Sequence, residues 1–202
     1  MLLAWGCTEL PLPVDPEPCV SARSVVTDID ETLTTLDAEW FAQVADPSHD
    51  PAMRPDADTL LRAYAAEGYG VFYVTGRGED MTLSDGRSSR EATADWLVAH
   101  GFPYAEGALF LASGVGVSGD AAVAYKTSVL TDLQAGGQEL AYAYGNATSD
   151  IEAFQAAEIP DDVIFLVGEL AGEMGVQPIP DEEAYTAHIE AWMPGVPEAL
   201  CD

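Results

Sequence analysis

A chain of 202 residues is long enough for one α/β domain with a buried core, or a domain plus a small lid, and too short for two full domains. Seven Lys and Arg against 35 Asp and Glu leave a formal net charge of −28, a field that repels phosphate backbones and anionic headgroups and argues against a nucleic-acid binder. Hydrophobic residues make up 48% of the chain, which sets it apart from acidic disordered segments.

The chain begins Met1-Leu2-Leu3-Ala4-Trp5-Gly6-Cys7, an apolar run ending in a small residue and Cys. It is similar to the tail of a bacterial lipoprotein signal and is too short to span a bilayer. Pro11, Pro13, Pro16 and Pro18 follow among acids, a composition that reads as an extended tether. Residues 1–22 are therefore expected to form a tether ahead of a domain spanning 23–202, in an exported or cell-envelope protein with Cys7 as a candidate lipid anchor. The plainer alternative is a floppy tail on a cytoplasmic protein. Cys7, Cys19 and Cys201 fit no zinc spacing, and Cys19 with Cys201 is a candidate staple between the chain ends.

From residue 24 onward, short apolar runs alternate with helical patterns. Strands are expected at 25–27, 71–74, 108–111, 140–144 and 163–167, and helices at 56–67, 89–100, 127–134 and 149–157. Such alternation predicts a parallel five-stranded sheet covered by helices on both faces. Functional groups of an open parallel sheet collect at the carboxyl ends of its strands, and polar clusters stand there. Asp28-Ile29-Asp30-Glu31-Thr32 follows the first strand, Thr75-Gly76-Arg77-Gly78 the second, and Gly145-Asn146 the fourth, with Asp150 one helical turn on. Residues 37–55 and 78–88 read as irregular loops on the same face, where substrate selection commonly lies.

Asp28 and Asp30, two apart on extended backbone, point to one side and can flank one reacting centre. One carboxylate can displace an alcohol from a phosphoester while the other manages protons, provided a divalent cation offsets the gathered charge; magnesium suits an all-oxygen site. Lys126 is the single lysine of the chain and reads as standing just before a helix start, where its ammonium can meet a phosphoryl group or the nucleophile. Arg77, Arg87 and Arg90 are candidates for neutralising an anionic substrate. His49, His100 and His188 share no metal spacing; His100 reads as part of a helix end and the other two as surface. Trp40, Phe41, Trp96 and Trp192 read as packing residues, the first two near the place of a small lid.

Asp28-Ile29-Asp30-Glu31-Thr32, Thr75, Lys126 and Gly145-Asn146 with Asp150 resemble, in order and spacing, the four motifs of the haloacid dehalogenase (HAD) superfamily of phosphohydrolases. Within it the chain is most similar to the catalytic domain of the lipins, phosphatidate phosphatases, over residues 24–177. It departs from them in having Glu31 for a glycine, Thr75-Gly76-Arg77 for a Ser-Ala-Arg pattern, and Ala147 for an arginine. The resemblance implies a Rossmann-like HAD fold with a minimal cap. It also implies hydrolysis of a phosphomonoester through an aspartyl-phosphate, with phosphatidate or a related lipid phosphate as the leading substrate. By the same resemblance Asp28 is the nucleophile and Asp30 the general acid and base. Thr32, Thr75, Gly76 and Arg77 contact the substrate, and Lys126 offsets charge between Asp28 and the phosphate. Mg²⁺ is held by Asp28, the Asp30 carbonyl, Asn146 and Asp150. The alternatives are a phosphatase of a small soluble phosphate and a non-catalytic phosphatidate-binding module, the latter resembling lipin-related domains of phosphatidylinositol-transfer proteins.

Overall fold

A computed structural model of the chain describes residues 22–179 and 183–199. The three cysteines, with their expected staple and anchor, and all but the last residue of the 1–22 tether lie outside the described residues. The five expected strands are present as β1 (Arg23–Thr27), β2 (Gly70–Gly78), β3 (Leu109–Ala112), β4 (Glu139–Gly145) and β5 (Ile164–Leu166). A sixth, β6 (Gln177–Pro178), joins the edge. Two residues ending in proline carry no alternation, so no pattern announces this strand. The order is β3-β2-β1-β4-β5-β6 and every pairing is parallel. This is the Rossmann-like arrangement of the HAD fold, with six strands in place of five.

Both faces of the sheet are buried, which is why its strands read as continuous apolar runs. Val25 packs on one side with Leu60, Tyr64 and Tyr73, whereas Val26 faces the other with Val74, Leu130 and Phe154. The covering helices include α2 (Ala57–Ala66), α3 (Ser89–Ala99) and α5 (Thr148–Ala156), close to their expected places. Ser88 starts α3 with a reciprocal cap, its hydroxyl accepting the Glu91 N–H and its own N–H donating to the Glu91 carboxylate.

Three helices depart from expectation. Helix α1 (Ala38–Ala45) occupies part of the segment read as irregular; its eight residues bury Trp40 and Gln43, a face too short to register as a period. Helix α4 (Gly119–Ala135) starts at Gly119 rather than 127, because the alanine-rich stretch 121–124 carries the helix back toward the glycines. Lys126 therefore sits inside the helix, not ahead of it. Helix α6 (Thr186–Trp192), which no pattern announced, is the last α-helix among the described residues and buries His188.

His188 is a correction to the expectation of a surface residue. It is 3% exposed, its Nε2 lies 2.9 Å from the Tyr144 hydroxyl, and its ring packs against Phe165. All of these partners come from distant strands, so nothing near His188 in sequence signals its burial. Burial pushes its pKa down to about 4 from the ordinary 6.5. Between these values the unfolded chain binds the additional proton, so stability falls as pH drops from 6.5 toward 4 and is fully present above 6.5. The group accounts for ~3 kcal/mol over that window. Urea midpoints of the native chain at pH 7.5 and pH 5 should therefore separate more widely than those of His188→Gln, which keeps a polar partner for Tyr144 and does not titrate.

The chain leaves β1 toward β2 on one side and returns to β4 on the other, so strand order reverses at the β1/β4 boundary. That crevice is where ligand sites form in open α/β sheets.

Candidate active site

Asp28 is the first residue past β1, and its N–H donates to the Tyr144 carbonyl on β4 at 2.9 Å, fixing it in the crevice. The N–H groups of Leu33 and Thr34 both donate to the Ile29 carbonyl, at 2.8 and 3.0 Å. The resulting tight turn puts Glu31 at φ 56°, the left-handed region that glycine adopts most readily and where the lipin pattern has one. Fully buried Ile29 anchors the loop between its two aspartates.

The sole lysine meets the paired acids. Lys126 Nζ donates to Asp28 Oδ1 at 2.7 Å and to Asp150 Oδ1 at 2.5 Å, and all three side chains are buried. Burial alone would drive off the lysine proton; Asp150 and Asp28 more than offset it and hold the ammonium charged, above the usual lysine range. Burial pushes the Asp28 carboxyl up to about 7, with Lys126 opposing and Asp150 and Asp30 adding to the rise. Asp150 also accepts the N–H groups of Asn146 and Ala147 on Oδ2, at 3.1 and 3.0 Å, so it ties the loop after β4 to the start of α5. An added Cβ on Gly145 would lie 2.5 Å from the Asp150 Cβ, so only glycine lets strand and helix approach this closely.

Thr32, a proposed substrate contact, is fully buried and works between two of the acid-loop partners. Its hydroxyl lies 3.3 Å from Asp28 Oδ2 and 3.2 Å from Asn146 Oδ1, and Asn146 Nδ2 donates to Glu31 at 3.0 Å. Arg77, offered by the sequence to an anionic substrate, is committed to Asp30: Nη2 lies 2.7 Å from Oδ1 and Nε 3.0 Å from Oδ2. The guanidinium is fixed in turn by Thr93 at 3.0 Å and by the Trp40 ring, 4.4 Å away. The Thr75 hydroxyl lies 3.3 Å from the same Asp30 carboxylate. Gly76 lines the cavity, its carbonyl accepting the Val117 N–H at 2.9 Å. Arg87 pairs with Asp85, and Arg90 with Glu79; neither lines the cavity.

Arg77 thus orients Asp30 through a two-pronged contact that a lysine cannot reproduce. If the site hydrolyses phosphoesters, Arg77→Lys should lower kcat by ~10–100-fold through misplacement of Asp30 and leave KM nearly unchanged. Steady-state kinetics on an aryl phosphate check both halves of that expectation.

These groups surround a cavity of about 440 Å³. Its remaining wall comes from α1 and the turn at 115–119, which together make a small cover over the strand ends. Sequence reasoning missed Asp37, which lines the cavity, and Arg54, which stands behind the acid loop and donates to the carbonyls of Glu31 and Thr32 at 2.7 and 3.1 Å. No local spacing marks them. Among the described residues no group of three or more His, Cys, Asp and Glu side chains forms a metal cage, so a cation here needs a mixed set with Asn146 and backbone oxygen. Asp28 and Asn146 present oxygens to one shared hydroxyl, and the buried acids outnumber the one lysine. That oxygen-only donor set, with negative charge in excess, fits Mg²⁺.

The family model described as PITM 1-3, LNS2 domain matches residues 25–168. Membrane-associated phosphatidylinositol transfer protein 3 of Homo sapiens is 29% identical over 161 residues, 78% of this chain and 15% of the relative; the Mus musculus protein gives the same values. Protein retinal degeneration B of Drosophila melanogaster is 27% identical over 168 residues, 82% of this chain and 12% of its own length. The chain therefore spans a small part of these relatives. A component of the Pnkp1/Rnl/Hen1 RNA repair complex shares the fold at a TM-score of 0.55 and 18% identity, over 79% of this chain and 47% of that one. With the motif order and the geometry of the β1/β4 crevice, the match over residues 25–168 means that the chain belongs to the LNS2 domain family, within the lipin-type HAD-like phosphatase superfamily.

Proposed function

We propose that this chain is a Mg²⁺-dependent phosphomonoester phosphatase that works through an aspartyl-phosphate on Asp28, with phosphatidate or a related lipid phosphate as substrate. The observation that carries the reading is the convergence of Asp28, Lys126 and Asp150 within 2.7 Å contacts, beside an Asp30 held by Arg77. Asp28 attacks phosphorus in line and the bond from phosphorus to the alcohol oxygen breaks, its electron pair leaving with that oxygen. Asp30 protonates the departing oxygen. Asp30 then takes a proton from water, the water oxygen attacks phosphorus, and the bond to Asp28 breaks to release inorganic phosphate. Lys126 stabilises charge between nucleophile and phosphoryl group throughout. Asp28, the Asp30 carbonyl and Asn146 would hold Mg²⁺, with Asp150 behind them; the ion supplies charge neutralisation at the phosphoryl oxygens.

The relatives' names, transfer proteins and membrane-associated, support a lipid as substrate or ligand. Among the described residues no helix is long and apolar enough to cross a membrane. Attachment through a lipidated Cys7, on a tether of residues 1–22 ahead of the domain, would bring an acidic protein to a surface that its charge opposes.

A second reading, phosphatidate binding without hydrolysis, is favoured by those same names. Phosphate release from phosphatidate in mixed micelles and from p-nitrophenyl phosphate separates the two. Hydrolysis predicts release that stops with EDTA and returns with Mg²⁺, whereas binding alone predicts phosphatidate-dependent flotation with no release from either compound.

A further inference from the structure

We infer that Glu31 is a positioning residue for the cation site: its carboxylate holds the Asn146 side-chain amide with Nδ2 turned away and Oδ1 on the Asp28 side, where it can bind the metal. The inference rests on the Mg²⁺-dependent reading above and deepens it by naming the group that makes an asparagine serve as a ligand there.

A carboxylate offers a cation an oxygen whichever way its end rotates, whereas a carboxamide offers oxygen in one orientation and a non-ligating NH₂ in the other. The Asn146 backbone is fixed by its N–H, which donates to Asp150 Oδ2 at 3.1 Å, but that bond leaves the terminal amide free to turn. The Thr32 hydroxyl, 3.2 Å from Asn146 Oδ1 and 3.3 Å from Asp28 Oδ2, does not choose between the two ends, because a hydroxyl can donate to an oxygen or accept from a nitrogen. The methyl group of Ala147, where the lipin pattern has an arginine, offers no hydrogen bond at all. The choice falls to Glu31. An ionised carboxylate only accepts, and Asn146 Nδ2 donates to Glu31 Oε2 at 3.0 Å.

The backbone aims this carboxylate. The Glu31 N–H donates to Thr34 Oγ1 at 3.0 Å, and its carbonyl accepts from Arg54 Nη2 at 2.7 Å. With both sides of the residue pinned, the side chain leaves the turn toward a partner 115 positions away in the chain. The φ of 56° disfavours any residue that carries a Cβ. Glu31 thus combines a backbone cost with a ligand-orienting gain, and the two can be separated by substitution.

The test uses the full chain stripped of metal. Mg²⁺ binding is measured by calorimetry in about 0.15 M salt, which screens the diffuse acidic surface, and thermal unfolding is followed without metal. Glu31→Gly should weaken Mg²⁺ binding by about tenfold or more, yet unfold no earlier than the native chain. Glu31→Gln, whose own amide can turn together with that of Asn146, should lose less. In an Asn146→Asp background nothing needs orienting, so adding Glu31→Gly there should cost less than about threefold. Equal weakening in both backgrounds would mean that Glu31 only adds charge, and would overturn the inference, as would native affinity in Glu31→Gly.

Nitrogen-15 NMR reads the amide without the metal. The Asn146 side-chain NH₂ signals, identified by their loss in Asn146→Asp, should exchange slowly with water in the native chain and faster in Glu31→Gly. If the native chain bound no Mg²⁺, the metal reading would fall. The exchange rates would still decide whether Glu31 orients Asn146, and rates unchanged in Glu31→Gly would overturn it.

Discussion

Asp28→Asn is expected to lose phosphate release by at least ~10³-fold in kcat/KM while remaining folded, because an amide oxygen cannot form the covalent link to phosphorus on which the two-step route depends. The size follows from the role: a nucleophile made in one step and broken in the next has no substitute elsewhere in the cavity. Asn retains oxygen and nitrogen at the positions that face Lys126 and Thr32, so near-native thermal unfolding should accompany the lost activity. Steady-state rates on p-nitrophenyl phosphate, with circular dichroism melts, read both. A variant retaining a tenth of native activity would mean that another group attacks.

The largest loss of stability should come from Lys126→Met. Lys126 and Asp28 side chains are each 6% exposed and Asp150 is fully buried, so removing the ammonium strands two carboxylates in a poorly solvated site. Breaking such a pair from one side costs ~3–5 kcal/mol, far more than the intact arrangement need contribute over an apolar replacement. Adding Asp150→Asn to Lys126→Met should return part of that loss by removing one of the stranded charges, a coupling that independent sites would not give. Urea unfolding of the single and double variants measures it. Additive losses would mean that Lys126 and Asp150 do not share the charge balance described here.

Much of this site was legible in the sequence because its principal groups follow apolar strands directly. Asp28 and Asn146 are each the first residue past a strand, whereas Thr75, Gly76, Arg77 and Gly78, expected just after the second strand, lie inside β2, which runs on past the apolar stretch to Gly78. Lys126 stood out by being alone, yet its place within α4 did not, since the glycines at 114, 116 and 119 look like a loop and the helix begins on the last of them. What could not be read were the pairings between distant segments. Arg77 and Asp30 lie 47 positions apart, and nothing in either neighbourhood says that the guanidinium meets the aspartate. Thr32 looks like a phosphate ligand in a linear motif and turns out to bridge Asp28 and Asn146. His188 carries no local sign of its aromatic shell. Short elements such as α1 and β6 fall below the length at which periodicity separates from chance.

The most direct measurement is acid quenching of the chain during turnover of p-nitrophenyl phosphate with Mg²⁺, followed by peptide mass spectrometry. One phosphoryl group should be found on the peptide bearing Asp28, labile to hydroxylamine and absent from Asp28→Asn. Phosphate release with no phosphoryl group trapped on the chain, or with the group on a different residue, would contradict the account.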